Sequence, residues 1–228
     1  VDWGIDRNAI ELGVSKGINI IYDPTLTKAL YPRNDGSISL FNLETNQEIA
    51  KFSVPGRGRL LKWSPSGGEV AIIGTAVNSS KDEILDQFVI VSQDGSSIRR
   101  LSFPSSFSKK LHIENYSWSP DGSRIALWLN NDKNEVTTPQ NPLELAVLDV
   151  KKNEVTTRCI SGTNIIEYEW YTDIVNIIWS PDGTSLLIVR YNNDSNKDTE
   201  EILVDLSNNI AYRVSENMQP IGWMNKGP

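Results

Sequence analysis

The chain has 228 residues, of which 39% are hydrophobic and 22% are charged, a composition typical of a globular protein with a sizeable core. Its formal net charge of −7 argues against general binding to nucleic acid or to an anionic membrane surface. A single cysteine, Cys159, excludes an intrachain disulfide, a single histidine, His112, excludes a zinc site with two histidines, and no apolar run approaches the roughly 18 residues of a membrane span.

A five-residue motif repeats along the chain. It reads Trp-Ser-Pro-Ser-Gly at 63–67 and Trp-Ser-Pro-Asp-Gly at 118–122 and 179–183, and an apolar run follows each copy. Ser-Pro-Asp-Gly suits a type I turn, in which Pro fixes φ at the second position and Gly takes the fourth. We therefore expect a strand that ends at the Trp, a tight turn and a second strand, with the Trp filling the space between neighbouring units.

Two weaker copies flank these three. Residues 19–24 parallel 176–181, and Trp223 marks a fifth copy near the end. The first copy departs most from the motif, because Asp-Pro-Thr-Leu stands at 23–26, so it does not by itself predict the same turn. The shortest separations between copies fit the about 40–45 residues of one propeller blade, whereas the longer ones require insertions. The repeated aromatic positions, which we expect to be structural, are Tyr22, Trp63, Trp118, Trp179 and Trp223.

Two further strands complete each unit. An apolar third strand recurs at 37–43, 88–91, 145–149 and 202–206. The fourth strand carries a basic residue near its end, in turn Lys51, Arg100, Arg158 and Arg213. Four units of four strands predict an all-β fold, a β-propeller of four-stranded antiparallel blades. We place the blades at about 18–55, 56–104, 105–161 and 162–216 within one domain that spans 1–228.

These motifs resemble a known repeat. Trp-Ser-Pro-Asp-Gly followed by a strand, and then by a Leu-x-Val-x-Asp strand, is similar to the WD40-like (PD40) repeat of TolB-type β-propellers, over residues 18 to 224. The resemblance implies a bacterial protein in an envelope or exported setting, periplasmic or extracellular. It does not specify the function, because propellers host many unrelated activities.

Both ends of the chain predict strands of incomplete blades. Residues 1–17 resemble the last strand of a preceding blade, and residues 217–228 contain the first strand of a following one. The two pieces cannot complete one blade together, because the two middle strands between them are missing. We therefore expect part of a larger ring, or a ring that an additional chain completes; a closed four-bladed ring is the less favoured alternative.

The insertions fall into two classes of connection, between second and third strands and between consecutive blades. In a propeller both classes emerge on one face, and long loops gathered on one face are typical of a binding surface. The alternative is that long polar loops are merely tolerated there. The predicted loops are 74–86, 130–142 and 191–200 within blades, and 55–59, 104–112 and 161–173 between them.

The candidate binding residues lie in these loops. Tyr168, Trp170 and Tyr171, flanked by acidic residues, have the character of interface anchors, although Trp170 covering a blade edge is an equal alternative. Arg57 and Arg59 offer contacts to an acidic partner, and His112 is a further candidate; solvated loop or packing residues are the alternative.

The sequence patterns that suggest catalysis or metal binding are incomplete. Residues 13–17 match Gly-x-Ser-x-Gly, but that nucleophile motif needs a helix after it, and an apolar strand follows here. Asp194, Asn196 and Asp198 are spaced like the start of a calcium loop, but Thr199 replaces the required Gly and no Glu occupies the twelfth position. We expect no catalytic residue, no cofactor and no metal beyond this weak calcium candidate.

The sequence thus predicts a non-catalytic scaffold that binds a protein or peptide partner through the long-loop face, without nucleic acid and without membrane insertion. Two alternatives stay open. One is the propeller domain of a prolyl-oligopeptidase-like peptidase whose catalytic domain lies outside this chain. The other is a carbohydrate-binding propeller that uses Trp170 and Tyr171.

Overall fold

All regular structure in the described part of the chain is β-strand. The computed structural model describes residues 20–33, 35–54, 57–78, 83–101, 103, 112–130, 144–161, 177–191, 199–216 and 223. None of these residues lies in a helix. Over the same residues there is accordingly no helix with the length and apolarity to cross a membrane.

Within the described residues sixteen strands form four antiparallel sheets, which we call blades 1 to 4, and in each the strands pair in chain order. Blade 1 contains β1 (Ile21–Tyr22), β2 (Lys28–Pro32), β3 (Ser37–Asn42) and β4 (Gln47–Ser53). Blade 2 contains β5 (Arg57–Trp63), β6 (Glu69–Asn78), β7 (Glu83–Ser92) and β8 (Ile98–Arg100). Blade 3 contains β9 (His112–Trp118), β10 (Arg124–Asn130), β11 (Glu144–Asp149) and β12 (Glu154–Ser161). Blade 4 contains β13 (Ile178–Trp179), β14 (Ser185–Tyr191), β15 (Thr199–Asp205) and β16 (Ile210–Glu216).

The chain divides into two compact units, Val1–Leu101 with blades 1 and 2 and Ser102–Pro228 with blades 3 and 4. The predicted all-β class, with four complete four-stranded blades, is confirmed. Strand alternation gives every blade two faces. We call the face that carries the first-strand aromatic residue the front face, and the opposite one the back face.

A blade interface forms the core of each unit, and in both cases a front face packs on the preceding back face. In the first unit the back face of blade 1 contributes Leu30, Ile38, Leu40, Phe52 and Val54, and the front face of blade 2 contributes Leu61, Trp63, Val70, Ile72, Val89 and Val91. In the second unit the back face of blade 3 contributes Ala126, Trp128, Leu145 and Val147, and blade 4 contributes Ile177, Trp179, Leu186, Ile188, Ile202, Val204 and Leu206.

Some predicted loops are wrong, because the strands extend into them. β6 and β7 remain paired out to Asn78 and Glu83, so the connection within blade 2 is 79–82 and not 74–86. β5 begins at Arg57 and β15 at Thr199, which shortens the connections at 55–59 and 191–200 in the same way. Each added pair satisfies backbone hydrogen-bonding groups that a loop would leave to solvent.

The predicted terminal strands fall almost wholly outside the described residues. Residues 1–17 are not described. Of residues 217–228 only Trp223 is described; it lies outside any strand, with 37% of its surface exposed.

Candidate functional site

The repeated motif builds the same turn in blades 2, 3 and 4. In blade 3 the Gly122 N–H donates to the Ser119 carbonyl at 2.9 Å, and in blade 4 the Gly183 N–H donates to the Ser180 carbonyl at 2.8 Å. These bonds span four residues, as in a β-turn. Gly122 and Gly183 have φ of 70° and 69°, a left-handed conformation that glycine adopts at little cost. The turn is the one that the motif predicts.

Side chains lock this turn. The Ser119 hydroxyl donates to Asp121 Oδ1 at 2.6 Å and accepts the Arg124 N–H at 2.9 Å. Asp121 also accepts the Ser123 N–H at 3.0 Å. Donation from the Ser119 hydroxyl, with further bonds from Ser123, lowers the pKa of Asp121 to about 2. The serine and aspartate side chains of this motif therefore stabilise the hairpin turn through hydrogen bonds within it.

Blade 1 forms the turn with different residues. Asp23 stands where the other blades have serine, and its Oδ1 accepts the Lys28 N–H at 2.6 Å. The Leu26 N–H donates to the Asp23 carbonyl at 3.0 Å, and Leu26 takes the glycine position with φ of 57°. The carboxylate of Asp23 thus replaces the serine hydroxyl as acceptor, and the turn survives the departure from the motif.

The turns between third and fourth strands are closed in a related way. Asp149 Oδ1 accepts the Lys151 and Lys152 N–H groups at 3.1 Å and 2.9 Å, and Asp205 Oδ1 accepts the Ser207 and Asn208 N–H groups at 2.9 Å and 3.0 Å. Each blade carries both tight turns at one end, because its strands run up and down in order. We call this the turn end of a blade and the opposite one the loop end.

The repeated tryptophans join neighbouring blades. The Trp63 indole N–H donates to the Ile21 carbonyl of blade 1 at 3.2 Å, and the Trp179 indole N–H donates to the Ser117 carbonyl of blade 3 at 3.0 Å. The Arg124 guanidinium lies over the Trp179 ring, 5.3 Å from its centroid. Three of the repeated aromatics are buried, namely Trp63, Trp118 and Trp179, whereas Tyr22 is 43% exposed.

Three of the predicted binding residues are described, and each of them lies in a strand. Arg57 and Arg59 lie in β5, where Arg59 is the extra residue of a bulge between Gly58 and Leu60. His112 is half-buried, begins β9 in the other compact unit and pairs with Asn130. Placing these three residues in loops was wrong, because the paired strands extend to include them. Tyr168, Trp170 and Tyr171 lie outside the described residues, as do the calcium candidates Asp194, Asn196 and Asp198.

Sequence reasoning missed one unusual residue, Glu201 on β15. It is 7% exposed, and its Oε2 accepts the Ser215 hydroxyl at 2.6 Å. Its Oε1 is buried and has no hydrogen-bond partner among the described residues. Aligning the third strands of the blades would have found it, because Ile38 in blade 1 and Leu145 in blade 3 hold the position equivalent to Glu201. A charged residue at a position that is apolar in other blades is the signal. Within the described ranges, no three His, Cys, Asp or Glu side chains lie close enough together to hold a metal ion.

Comparison with known proteins identifies the fold of the chain but neither a family nor a function. No protein-family model matches the chain, and no curated protein matches it either. Among solved structures it is similar to the tricorn protease (TM-score 0.58, 11% identity, 85% of this chain and 18% of that chain), to hydrazine synthase of Kuenenia stuttgartiensis (0.53, 16%, 82% and 52%) and to TolB of Acinetobacter baumannii (0.50, 15%, 86% and 42%).

These likenesses place the chain among β-propellers, the fold of TolB and of the tricorn protease. At identities of 11–16% they show the fold alone. The chain spans about half the length, or less, of the structures that it matches.

Proposed function

We propose that this chain is a non-catalytic propeller scaffold that binds a protein or peptide partner through the loop ends of its blades. The observation that carries the proposal is the difference between the two ends of blades 3 and 4, to which the long connection from blade 2 to blade 3 adds. The turn ends consist of short hairpins whose polar side chains are occupied in hydrogen bonds within the turns. The loop ends give rise to the long connections 101–111, 131–143, 162–177 and 192–198.

This asymmetry supports binding for a physical reason. A loop can change sequence and length without disturbing the core, so binding residues concentrate on loops that a rigid scaffold positions. The blades supply the rigidity through strands with buried side chains, such as β10 and β11. The connection 162–177 contains Tyr168, Trp170 and Tyr171, and aromatic side chains of this kind dominate interface energetics.

We also infer that the repeat is of the WD40-like, TolB type and that the protein works in the periplasm or outside the cell. The inference rests on the Trp-Ser-Pro-Asp-Gly copies at 118–122 and 179–183 together with the structural likeness to TolB. Detection of the protein in periplasmic or secreted fractions would support this location, and retention in the cytoplasm would contradict it.

A displayed peptide library tests the binding proposal. The chain is immobilised, peptides are selected, and the Kd of the best peptide is measured by calorimetry for the wild type and for Trp170→Ala. Loss of an aromatic anchor is expected to weaken binding at least tenfold while the Tm changes little. The matched control is Lys152→Ala, at a turn end, where the Kd should not change.

Three other results would count against the proposal. Selection of no peptide, or selection only of peptides that Lys152→Ala also weakens, would exclude the loop ends. A parallel fall in Tm and in affinity for Trp170→Ala would assign that residue a structural role. Binding to a glycan array in place of peptides would favour the carbohydrate-binding alternative.

The likeness to the tricorn protease favours one second candidate, a propeller domain of a peptidase of the prolyl-oligopeptidase-like kind. In that case the loop ends would face a catalytic domain outside this chain. The parent reading frame decides the matter, because an α/β-hydrolase pattern with a Gly-x-Ser-x-Gly strand–turn–helix would be present beside the propeller.

A further inference from the structure

One cross-strand row on the back face of blade 3 contains polar side chains where the matching row of blade 1 is apolar. In blade 3, Trp128 on β10 pairs with Leu145 on β11, and Leu145 pairs with Arg158 on β12. Counted from the turn end, the matching row of blade 1 consists of Pro32, Ile38 and Phe52. The following blade of the same unit covers the back face in both cases. An indole N–H and a guanidinium thus lie in an interface that blade 1 builds from apolar side chains.

Two nitrogen atoms of this row are buried and have no acceptor within the described part of the chain. They are Trp128 Nε1 and Arg158 Nε. Trp128 is only 1% exposed, so bulk water does not accept its N–H. Asn115 pairs with Trp128 at the inner end of the row, and its Oδ1 accepts the Tyr116 N–H at 2.8 Å. Because a buried donor without an acceptor destabilises a fold, two of them in one row favour the binding of a group that accepts from both.

The charge of Arg158 decides which acceptor fits. Its Nη1 donates to Asn209 Oδ1 of blade 4 at 2.7 Å, and it makes no ion pair with a described carboxylate. The amide of Asn209 is neutral and leaves the positive charge uncompensated. A carboxylate supplies one negative charge and two oxygen atoms, one for each N–H group. A phosphate dianion would bring a second negative charge to a row that holds one cation.

The surroundings of the two donors are apolar. Trp128 and Leu145 belong to one buried cluster with the front face of blade 4, to which Ile177, Ile188 and Ile202 contribute. Sites for small organic ligands have this composition, in which apolar side chains predominate and a few polar groups fix the orientation. A ligand that suits these surroundings therefore has an apolar body and carries its carboxylate at one end.

Arg158 gives the two donors a route to solvent. It lies on the outermost strand of blade 3 and is half-buried, and its partner Asn209 is exposed. A long side chain at the rim of an interface changes rotamer without disturbing the strands that carry it. When Arg158 swings outward, the space that its guanidinium leaves opens towards Trp128. Its return then closes the site behind the ligand.

From these observations we propose that the interface between blades 3 and 4 binds a carboxylate at the end of an apolar chain. The Trp128 indole N–H donates to one carboxylate oxygen and the Arg158 Nε–H donates to the other, while the apolar chain packs beside Leu145. This site lies between two packed sheets and is separate from the peptide surface proposed at the loop ends. Either site can exist without the other.

Titration with sodium hexanoate, followed by NMR, tests the proposal. The indole N–H signal of Trp128 is identified by its loss in Trp128→Phe. Hexanoate is expected to move this signal downfield to a plateau, because a hydrogen bond to a carboxylate deshields the proton. Hexanol is the neutral control with the same chain length and is expected to bind at least about tenfold more weakly, since it does not compensate the charge of Arg158.

Two substitutions of Arg158 assign its role. Arg158→Phe introduces the residue that blade 1 has at this position, and it is expected to raise the Kd for hexanoate at least about tenfold without lowering the Tm of the free protein. Arg158→Gln removes the charge but keeps a donor, and its Kd is expected to rise in the same direction. The matched control is Lys51→Leu, which removes a cation from the outermost strand of blade 1 and should leave the Kd unchanged.

Two probes distinguish the possible sources of the carboxylate. Hexanoate represents a free carboxylic acid, and N-acetyl-leucyl-leucine represents the C-terminus of a polypeptide, with its C-terminal amide as the control. Binding of hexanoate alone would assign the site to a small acid. Binding of the dipeptide acid alone, without its amide, would assign it to a polypeptide C-terminus. Both results support a carboxylate site between the blades.

Three outcomes overturn the proposal. The first is an indole signal of Trp128 that neither carboxylate moves at millimolar concentration, which would leave the two donors without a ligand of this class. The second is an equal response to hexanol and hexanoate, which would show that the interface takes up apolar chains without recognising a carboxylate. The third is an unchanged Kd in both Arg158→Phe and Arg158→Gln, which would exclude Arg158 from the site.

Discussion

Leu26 is the residue at which the sequence and its local conformation disagree most. It has φ of 57° at the position where blades 2, 3 and 4 place glycine, and its side chain is exposed. A side chain with a Cβ is strained in this region, whereas glycine is not. The hydrogen bonds that Asp23 accepts from Thr25 and Lys28 hold the turn in place against this strain.

Leu26→Gly is therefore expected to stabilise the protein by about 0.5–1 kcal/mol, the strain relieved less the extra backbone entropy lost on folding. Urea unfolding measures the change. Leu26→Ala keeps the Cβ and serves as the control, with no gain expected. Equal stabilities for the glycine and alanine variants would show that φ at this residue costs nothing.

Trp179 contributes to the second blade interface through packing, a hydrogen bond and the cation above its ring. Trp179→Phe keeps most of the apolar area but removes the indole N–H that donates to the Ser117 carbonyl. We expect a loss of about 1–2 kcal/mol in the free energy of unfolding. Trp63→Phe, which removes the equivalent bond to Ile21, is the matched variant. A loss under about 0.3 kcal/mol in both variants would show that the indole hydrogen bond does not stabilise the blade interface.

At the scale of an element, the hairpin turns are stabilised by hydrogen bonds to ionised aspartate carboxylates. The pKa of Asp182, like that of Asp121, is lowered to about 2 from an ordinary 3.8, chiefly because a serine hydroxyl, here that of Ser180, donates to it. The folded turn thus favours the ionised carboxylate. Because the pKa is lower in the folded state, the stabilisation is fully present above the unfolded value of 3.8 and is lost as the pH falls towards about 2.

The double variant Asp121→Asn with Asp182→Asn is expected to flatten the dependence of Tm on pH between about 4 and 2, relative to the wild type. Thermal scans in that range measure the slope. Glu154→Gln, which removes an exposed carboxylate away from these turns, is the control for the loss of negative charge as such. An unchanged slope in the double variant would mean that these carboxylates titrate alike in the folded and unfolded chains.

At the scale of the whole molecule, burial is distributed by strand position within each blade. Middle strands such as β11 are buried along most of their length, whereas the outermost strands β4 and β16 are mostly exposed. Local stability follows buried apolar contacts, so the outermost strands should open first.

Hydrogen exchange followed by mass spectrometry checks this distribution. Peptides from β6 and β10 are expected to be the slowest to exchange, and peptides from β4 and β16 are expected to exchange at least tenfold faster. Uniform protection across all four strands of a blade would contradict the expectation and would indicate that each blade opens as one unit.

The sequence predicted well where the signal is local. The copies at 118–122 and 179–183 predicted hairpin turns because proline and glycine restrict the backbone in the same way wherever they stand. It predicted less well where strands continue beyond the apolar run, as at 75–78, because pairing depends on the partner strand. Arg57 and His112 were assigned to loops for that reason.

The sequence by itself determined the all-β class, the four units of four strands and the three clear turns, because each depends on residues close together in the chain. Only the tertiary structure decided that the Asp23 turn forms, that Trp63 and Trp179 bond to preceding blades, and that Glu201 is a buried carboxylate. Burial and hydrogen-bond partners depend on contacts between segments that are far apart in the sequence, so they cannot be predicted from the identity of a single residue.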